Sequence, residues 1–188
     1  MGISDLEQSL FLVVLGGKHK NSNTEVHDAR WVVGINIRET FNQLKSQWFG
    51  TLKGLHIDSF IKIKYIDGFL VKLTERVNFE GIEDDKDRSN KLWFVNIGSY
   101  NSKELNERHS FNFVVARSGI DARKKAKIKL LKDKEIGHID NVKLVQQIKA
   151  NDCILEEEIN WEVSLIRDEL NRDQEMIPDW YGYMRIDK

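Results

Sequence analysis

Short apolar runs that alternate with polar stretches predict a chain built mainly from strands. The longest unbroken apolar run, Leu10–Leu15, spans six residues, which is the length of a strand buried on both faces. We expect this strand over residues 9–15, ending at Gly16 and Gly17. A second strand is predicted over 25–33, where bulky and β-branched residues are enriched.

The next segments predict a helix and two further strands. Apolar residues recur every three to four positions over 37–48, which indicates one buried helical stripe; they are Ile37, Phe41, Leu44 and Trp48. Strands follow over 56–65 and 69–75, with a hairpin turn at Asp67-Gly68, where glycine adopts positive φ freely. The unit is therefore ββαββ.

The same unit occurs twice. Residues 10–75 shifted by 82 onto 92–157 give 14 identities in 66 positions, which indicates an internal duplication. We predict unit one at 9–75, a charged linker at 76–91 and unit two at 92–158. The corresponding elements of unit two are strands over 92–97, 107–116, 138–148 and 153–158 and a helix over 119–132.

These patterns predict an α+β fold of duplicated ββαββ units with pseudo-twofold symmetry around one continuous core. Residues 159–188 are expected to add a helix, over 163–176, and an aromatic tail, Trp180–Met184. The tail either packs back on the domain or serves as a pocket lid or a contact in a homo-oligomer.

Composition narrows the class of protein. Apolar residues make up 40% and charged residues 31%, and the net charge is -1, which fits a soluble globular protein and disfavours general nucleic-acid binding. No apolar run approaches the roughly 20 residues of a membrane span, so no membrane partner is expected. The single cysteine, Cys153, is predicted to be buried, and the chain to be cytoplasmic.

The candidate site residues come from the duplication. Two histidine pairs and one aspartate pair recur at matched positions: His27 and His109, His56 and His138, Asp58 and Asp140. His56 and Asp58 share one face of a strand, and two histidines with one aspartate are the ligands of a zinc or non-heme iron site. A structural role, a site in unit one alone and a site in both units all remain open.

Asp28 and Arg30 extend the candidate binding set of unit one. Arg30 suits a carboxylate or phosphate, or an ion pair with Glu25 or Asp28. Their counterparts in unit two are Ser110 and Asn112, so unit one is the expected site.

The motif string of unit one resembles the bacterial family catalogued as domain of unknown function 1543. It comprises Leu15-Gly16-Gly17, Glu25, His27-Asp28, Arg30, Val33-Gly34, Trp48-Phe49-Gly50, Leu55-His56-Ile57-Asp58-Ser59 and Asp67-Gly68. Unit two keeps Gly98, His109 and His138-Ile139-Asp140. The resemblance implies a small soluble bacterial protein and transfers no catalytic residue.

Three hypotheses for function follow, because no nucleophile, thiol-pair or phosphate-loop motif occurs. The first is a non-enzymatic module that binds a small ligand or a protein. The second is a metal-dependent, hydrolase-like enzyme that holds a divalent ion with His27, His56 and Asp58. The third is nucleic-acid association through the basic helix 119–134.

Overall fold

The computed structural model describes residues 7–75, 89–132, 136–151 and 158–188. Antiparallel strands dominate, and two α-helices accompany them in this part of the chain. The elements are β1 (Ser9–Lys18), β2 (Val26–Gly34), a 3₁₀ turn (Ile37–Thr40), α1 (Phe41–Gln47), β3 (Thr51–Ile63), β4 (Tyr65–Ile66), β5 (Phe69–Glu75), β6 (Lys91–Tyr100), β7 (Arg108–Ala116), α2 (Gly119–Leu130), β8 (Ile136–Leu144), β9 (Gln147–Asn151), β10 (Glu158–Arg167) and β11 (Trp180–Arg185).

The strands form three antiparallel sheets. Sheet A has the order β11-β3-β1-β2, sheet B the order β4-β5-β10-β9, and sheet C the order β7-β6-β8. The bounds of β1 and β6, and those of β2 and β7, differ by 82 residues at both ends. The order β3-β1-β2 in sheet A therefore recurs as β8-β6-β7 in sheet C.

One central core joins all three sheets. Leu12 of sheet A, Val71 of sheet B and Phe94 of sheet C belong to the same buried cluster. The opposite face of sheet A is covered by α1, whose Leu44 is fully buried. The opposite face of sheet C is covered by α2, so the two sheets lie between the two helices.

The segment after unit two corrects one prediction. No helix covers 163–176; residues up to Arg167 belong to β10. β10 pairs with β5 and β9, and the alternate residues Trp161, Val163 and Leu165 pack against the central core. The alternation of core-facing residues in that segment therefore indicates a strand, although its charged residues favour a helix.

The glycine pair also corrects a prediction, because β1 continues to Lys18 instead of ending at Gly16. A Cβ atom at Gly16 would overlap the imidazole of His56, and one at Gly17 would lie 2.8 Å from the ring of Trp48. The glycines thus provide room for two side chains within a continuous strand.

The aromatic tail packs back on the domain as β11, beside β3 in sheet A. Ile186 behind it is 1% exposed. The predicted linker is described only from Ser89 onward, and Cys153 lies outside the described residues. No helix in the described part of the chain has the length and apolarity needed to span a membrane.

The predicted hairpin turn is confirmed and links unit one to α2. Asp67 and Gly68 have φ of 51° and 78°. The carboxylate of Asp67 is 6% exposed and lies 2.7 Å from Nζ of Lys129 and 2.9 Å from Nζ of Lys125. It also accepts a hydrogen bond from the amide of Val115. Burial alone would raise the pKa of Asp67, but these hydrogen bonds outweigh it and lower the pKa below its ordinary value.

Replacing Asp67 with asparagine should destabilise the fold by about 1–3 kcal/mol, because two lysines lose a buried charged partner. Asparagine tolerates positive φ, so the turn itself is preserved. The more exposed Asp173, also paired with Lys129, is the matched control, and D173N should cost less than about 1 kcal/mol. Urea denaturation at neutral pH measures both.

Wild type and D67N together test how the contribution of Asp67 to stability depends on pH. A lowered pKa stabilises the fold above the unfolded value of about 3.9, and this contribution is lost as the pH falls through the folded value. The stability difference between wild type and D67N should therefore shrink in acid. Equal stabilities at neutral pH would contradict this role for Asp67.

Candidate functional site

The matched histidines meet around a glycine in each unit. We define cluster one as Glu25, His27, His56 and Asp58, and cluster two as Glu107, His109, His138 and Asp140. In sheet A, Gly16 on the central strand is the register partner of both His27 and His56. Gly98 has the same relation to His109 and His138 in sheet C.

Asp58 joins the two histidines of cluster one. Its Oδ2 lies 3.2 Å from Nε2 of His27, and its Oδ1 lies 3.2 Å from Nε2 of His56. Oε1 of Glu25 lies 3.3 Å from the same nitrogen of His56. The structure therefore brings together the predicted residues His27, His56 and Asp58 and adds Glu25 to them.

His56 is the most enclosed member of cluster one, at 1% exposure. Its Nδ1 lies 2.8 Å from the carbonyl oxygen of Gly54, and the ring of Tyr183 lies against it with 4.0 Å between centroids. Tyr183 belongs to β11, so the tail covers this histidine. Burial raises the pKa of Asp58, against the opposing influence of His27 and His56.

Cluster two has the same composition, and the contacts of its His138 are shorter than those of His56. Nε2 of His138 lies 2.7 Å from Oδ1 of Asp140 and 3.0 Å from Oε1 of Glu107. Nδ1 of His109 lies 3.3 Å from Oδ2 of Asp140. Among the described residues, Glu107, His138 and Asp140 form the one group whose ligand atoms all lie within 4.8 Å of one another.

Cluster two is also more open than cluster one. The side chain of His138 is 44% exposed, and the ring of Tyr100 stacks on it with 5.7 Å between centroids. The charge of Glu107 raises the pKa of Tyr100. The expectation that unit one carries the site stays a prediction.

Asp28 and Arg30 do not join cluster one. They pair with each other, with 2.6 Å between Oδ2 of Asp28 and Nη2 of Arg30. Both line an open cleft of about 790 Å³ between unit one and sheet C. Arg30 thus contributes to a second candidate site, away from the histidines.

The cleft combines aromatic, cationic and amide groups. Its walls come from the edge of β2, the end of α1, sheet C and β9. The aromatic lining is Trp31, Phe94 and Phe111; the charged lining is Asp28, Arg30, Lys143 and Lys149; and the amide side chains are Gln47, Asn96, Asn141 and Gln147. Three basic groups against one acidic group favour an anion.

Two buried polar atoms at the cleft make no hydrogen bond with the described part of the protein. They are Nε of Arg30, a donor, and Oδ1 of Asn96, an acceptor. An unsatisfied buried polar atom costs about 1–3 kcal/mol. Both residues line the cleft, so a ligand or an ordered water that displaces a neighbouring side chain would satisfy this donor and this acceptor.

Three basic side chains of the helix predicted over 119–134 make contacts within the protein. Lys125 and Lys129 bind Asp67, and Arg123 donates a hydrogen bond to the carbonyl of Ile139. Nucleic-acid association through 119–134 stays a prediction, as does a homo-oligomeric contact through the tail.

Three features of these sites were not predicted from the sequence. Tyr100 and Tyr183 have no counterparts in the opposite unit at the 82-residue shift, so the duplication gave no signal for them. Glu107 did have a signal, because it matches Glu25. The cleft lies between the units, and a pattern within each unit does not reveal it.

Replacing Gly16 with alanine should displace His56 and lower the free energy of unfolding by about 1–3 kcal/mol, the usual cost of overpacking. Gly16 has no positive φ, so the effect reports the steric overlap with the imidazole. The control is Gly119→Ala, where a Cβ would approach the ring of Trp93 only to 3.3 Å.

Urea denaturation and the NMR signals of the His56 ring measure the effect of G16A. We expect those signals to shift in G16A and to stay unchanged in G119A. Wild-type stability together with unshifted His56 signals in G16A would refute the packing of this ring against the glycine.

Comparison with known proteins places the chain in a family. No curated protein matches it. It is similar to the crystal structure of a protein Il1583 from Idiomarina loihiensis, with 29% sequence identity and a TM-score of 0.68 over 96% of this chain and 98% of that one. The sequence model of one family matches residues 22–73 and 104–154, more than half of the chain. This confirms the resemblance and the two tandem copies: the chain belongs to the family described as Domain of Unknown Function (DUF1543).

Proposed function

We propose that this protein is a non-enzymatic binding module whose cleft takes a small organic anion. The observation that carries the proposal is the pair of buried atoms at the cleft, Nε of Arg30 and Oδ1 of Asn96, which lack hydrogen bonds within the described residues. In this proposal the two ββαββ units are related by a pseudo-twofold axis, and the cleft forms where they meet.

The lining defines the chemistry of the ligand. Trp31 and Phe94 lie 5.0 Å apart between ring centroids and suit a flat, apolar body. Arg30 suits a carboxylate or phosphate oxygen, with Lys143 as a second cation at the rim. Asn96 requires a donor, so the ligand carries an N–H or O–H group in addition to its negative charge.

The size of the cleft agrees with this class. Small-molecule sites have volumes of about 300–1,000 Å³ and combine apolar walls with a few polar groups that orient the ligand. The cleft of about 790 Å³ lies within that range. Its location between two units is also typical of ligand sites.

A metal-dependent enzyme in cluster one is the second candidate. It is favoured by the carboxylate of Asp58, which reaches both His27 and His56. Against it, His56 is enclosed beneath Tyr183, which leaves a metal-bound water there little access to a substrate. We therefore rank the cleft above cluster one.

Saturation-transfer NMR with a panel of small aromatic carboxylates and phosphates tests whether the protein binds such anions. Probes that bind should shift the indole signal of Trp31. Arg30→Lys should weaken binding at least about tenfold, because a hydrogen bond to a charged group contributes about 1.5–3 kcal/mol. Asn96→Leu should lower the affinity of those probes that carry a hydrogen-bond donor.

Arg38→Lys is the matched control, because Arg38 is exposed and lies outside the cleft. It should leave affinity unchanged. Undiminished affinity in R30K, or probes that bind without shifting Trp31, would rule out the cleft as the binding site.

A further inference from the structure

We propose that cluster two binds a zinc ion through Glu107, His138 and Asp140. This site is separate from the ligand contacts in the cleft, and neither proposal depends on the other. It lies on the face of sheet C that also provides Asn96 and Phe111 to the cleft, since Gly98 is two residues from Asn96 and His109 is two residues from Phe111.

Carboxylate oxygens outnumber hydrogen-bond donors around Nε2 of His138. Nε2 of His138 faces two carboxylate oxygens, Oδ1 of Asp140 at 2.7 Å and Oε1 of Glu107 at 3.0 Å. One imidazole nitrogen donates at most one hydrogen bond. The Tyr100 hydroxyl is hydrogen-bonded to the Glu107 carboxylate, yet Oε1 of Glu107 is buried and accepts no hydrogen bond from the described residues. A cation at this point contacts both oxygens and the nitrogen lone pair together.

The spacing of the three ligand atoms is close to that around a zinc ion. The three ligand atoms lie within 4.8 Å of one another. Ligands at about 2.0–2.2 Å from a tetrahedral zinc ion are about 3.4 Å apart. The observed separations of 2.7 and 3.0 Å from Nε2 of His138 therefore need only a small expansion to accept the ion.

The donor set favours zinc over other common divalent cations. Magnesium and calcium prefer oxygen ligands alone, whereas zinc accepts imidazole nitrogen together with carboxylate oxygen. His109 lies 3.3 Å from the second oxygen of Asp140 and orients that carboxylate, as outer-shell partners of metal ligands do. The exposure of His138 leaves a fourth position open to solvent.

Cluster one provides an internal comparison of the same residue types. Its contacts to Nε2 of His56 are longer, at 3.2 and 3.3 Å, and Tyr183 lies on the ring. Glu25 is the sequence counterpart of Glu107 at the 82-residue shift. Glu25→Gln is therefore a matched control for Glu107→Gln, with the same chemical change at the equivalent position.

Isothermal titration calorimetry of the full chain with zinc chloride tests the proposal. The protein carries no histidine tag and is stripped of metal with a chelator beforehand. Wild type should bind zinc at cluster two. E107Q should weaken this binding at least about tenfold, whereas E25Q should leave it within about twofold of wild type.

Cobalt substitution provides a second readout that depends on the ligands themselves. Wild type and E25Q should show the visible absorption of tetrahedral cobalt, and E107Q should lose it. An unchanged amide NMR spectrum in E107Q establishes that the variant is folded. No zinc binding by wild type, or binding by E107Q as tight as that of wild type, would overturn the proposal.

Discussion

The structure depends on the burial of two sheet faces in one core. The inner faces of sheets A and C, together with sheet B, share a single apolar cluster that includes Leu12, Val71 and Phe94. A sheet with one apolar face needs such a partner, which gives a physical reason for two units in one chain. The helices cover the outer faces. The histidine clusters lie on the inner faces, and the cleft lies at the junction, where β2 contributes residues from both of its faces.

A glycine on the central strand of each of sheets A and C provides room for a histidine side chain. Gly16 and Gly98 leave space above the strand. The imidazole of His56, with Asp58, fills it in one unit, and the imidazole of His138, with Glu107, fills it in the other. The two clusters begin from the same residues and differ in what surrounds them. The tail places Tyr183 over His56, whereas no strand corresponding to β11 lies beside β8 in the described chain. This asymmetry leaves cluster two open.

The repeat made the first two strands of each unit predictable, because a shift of 82 residues reproduces the bounds of β1 in β6 and of β2 in β7. The turn at Asp67-Gly68 was predictable from local backbone preferences. The strand β10 was not predicted, because its charged residues favour a helix, whereas the alternate residues Trp161, Val163 and Leu165 pack against the core as a strand. The cleft was not predictable either, because it joins side chains such as Arg30 and Asn96 that are distant in the sequence.

We propose a ligand site at the junction of the two units, and electron density in that cleft tests this proposal. A high-resolution crystal structure of the full chain should show a bound organic molecule or ordered water within hydrogen-bond distance of both Nε of Arg30 and Oδ1 of Asn96. A closed cleft in which both atoms form hydrogen bonds with protein groups would rule out a ligand site there.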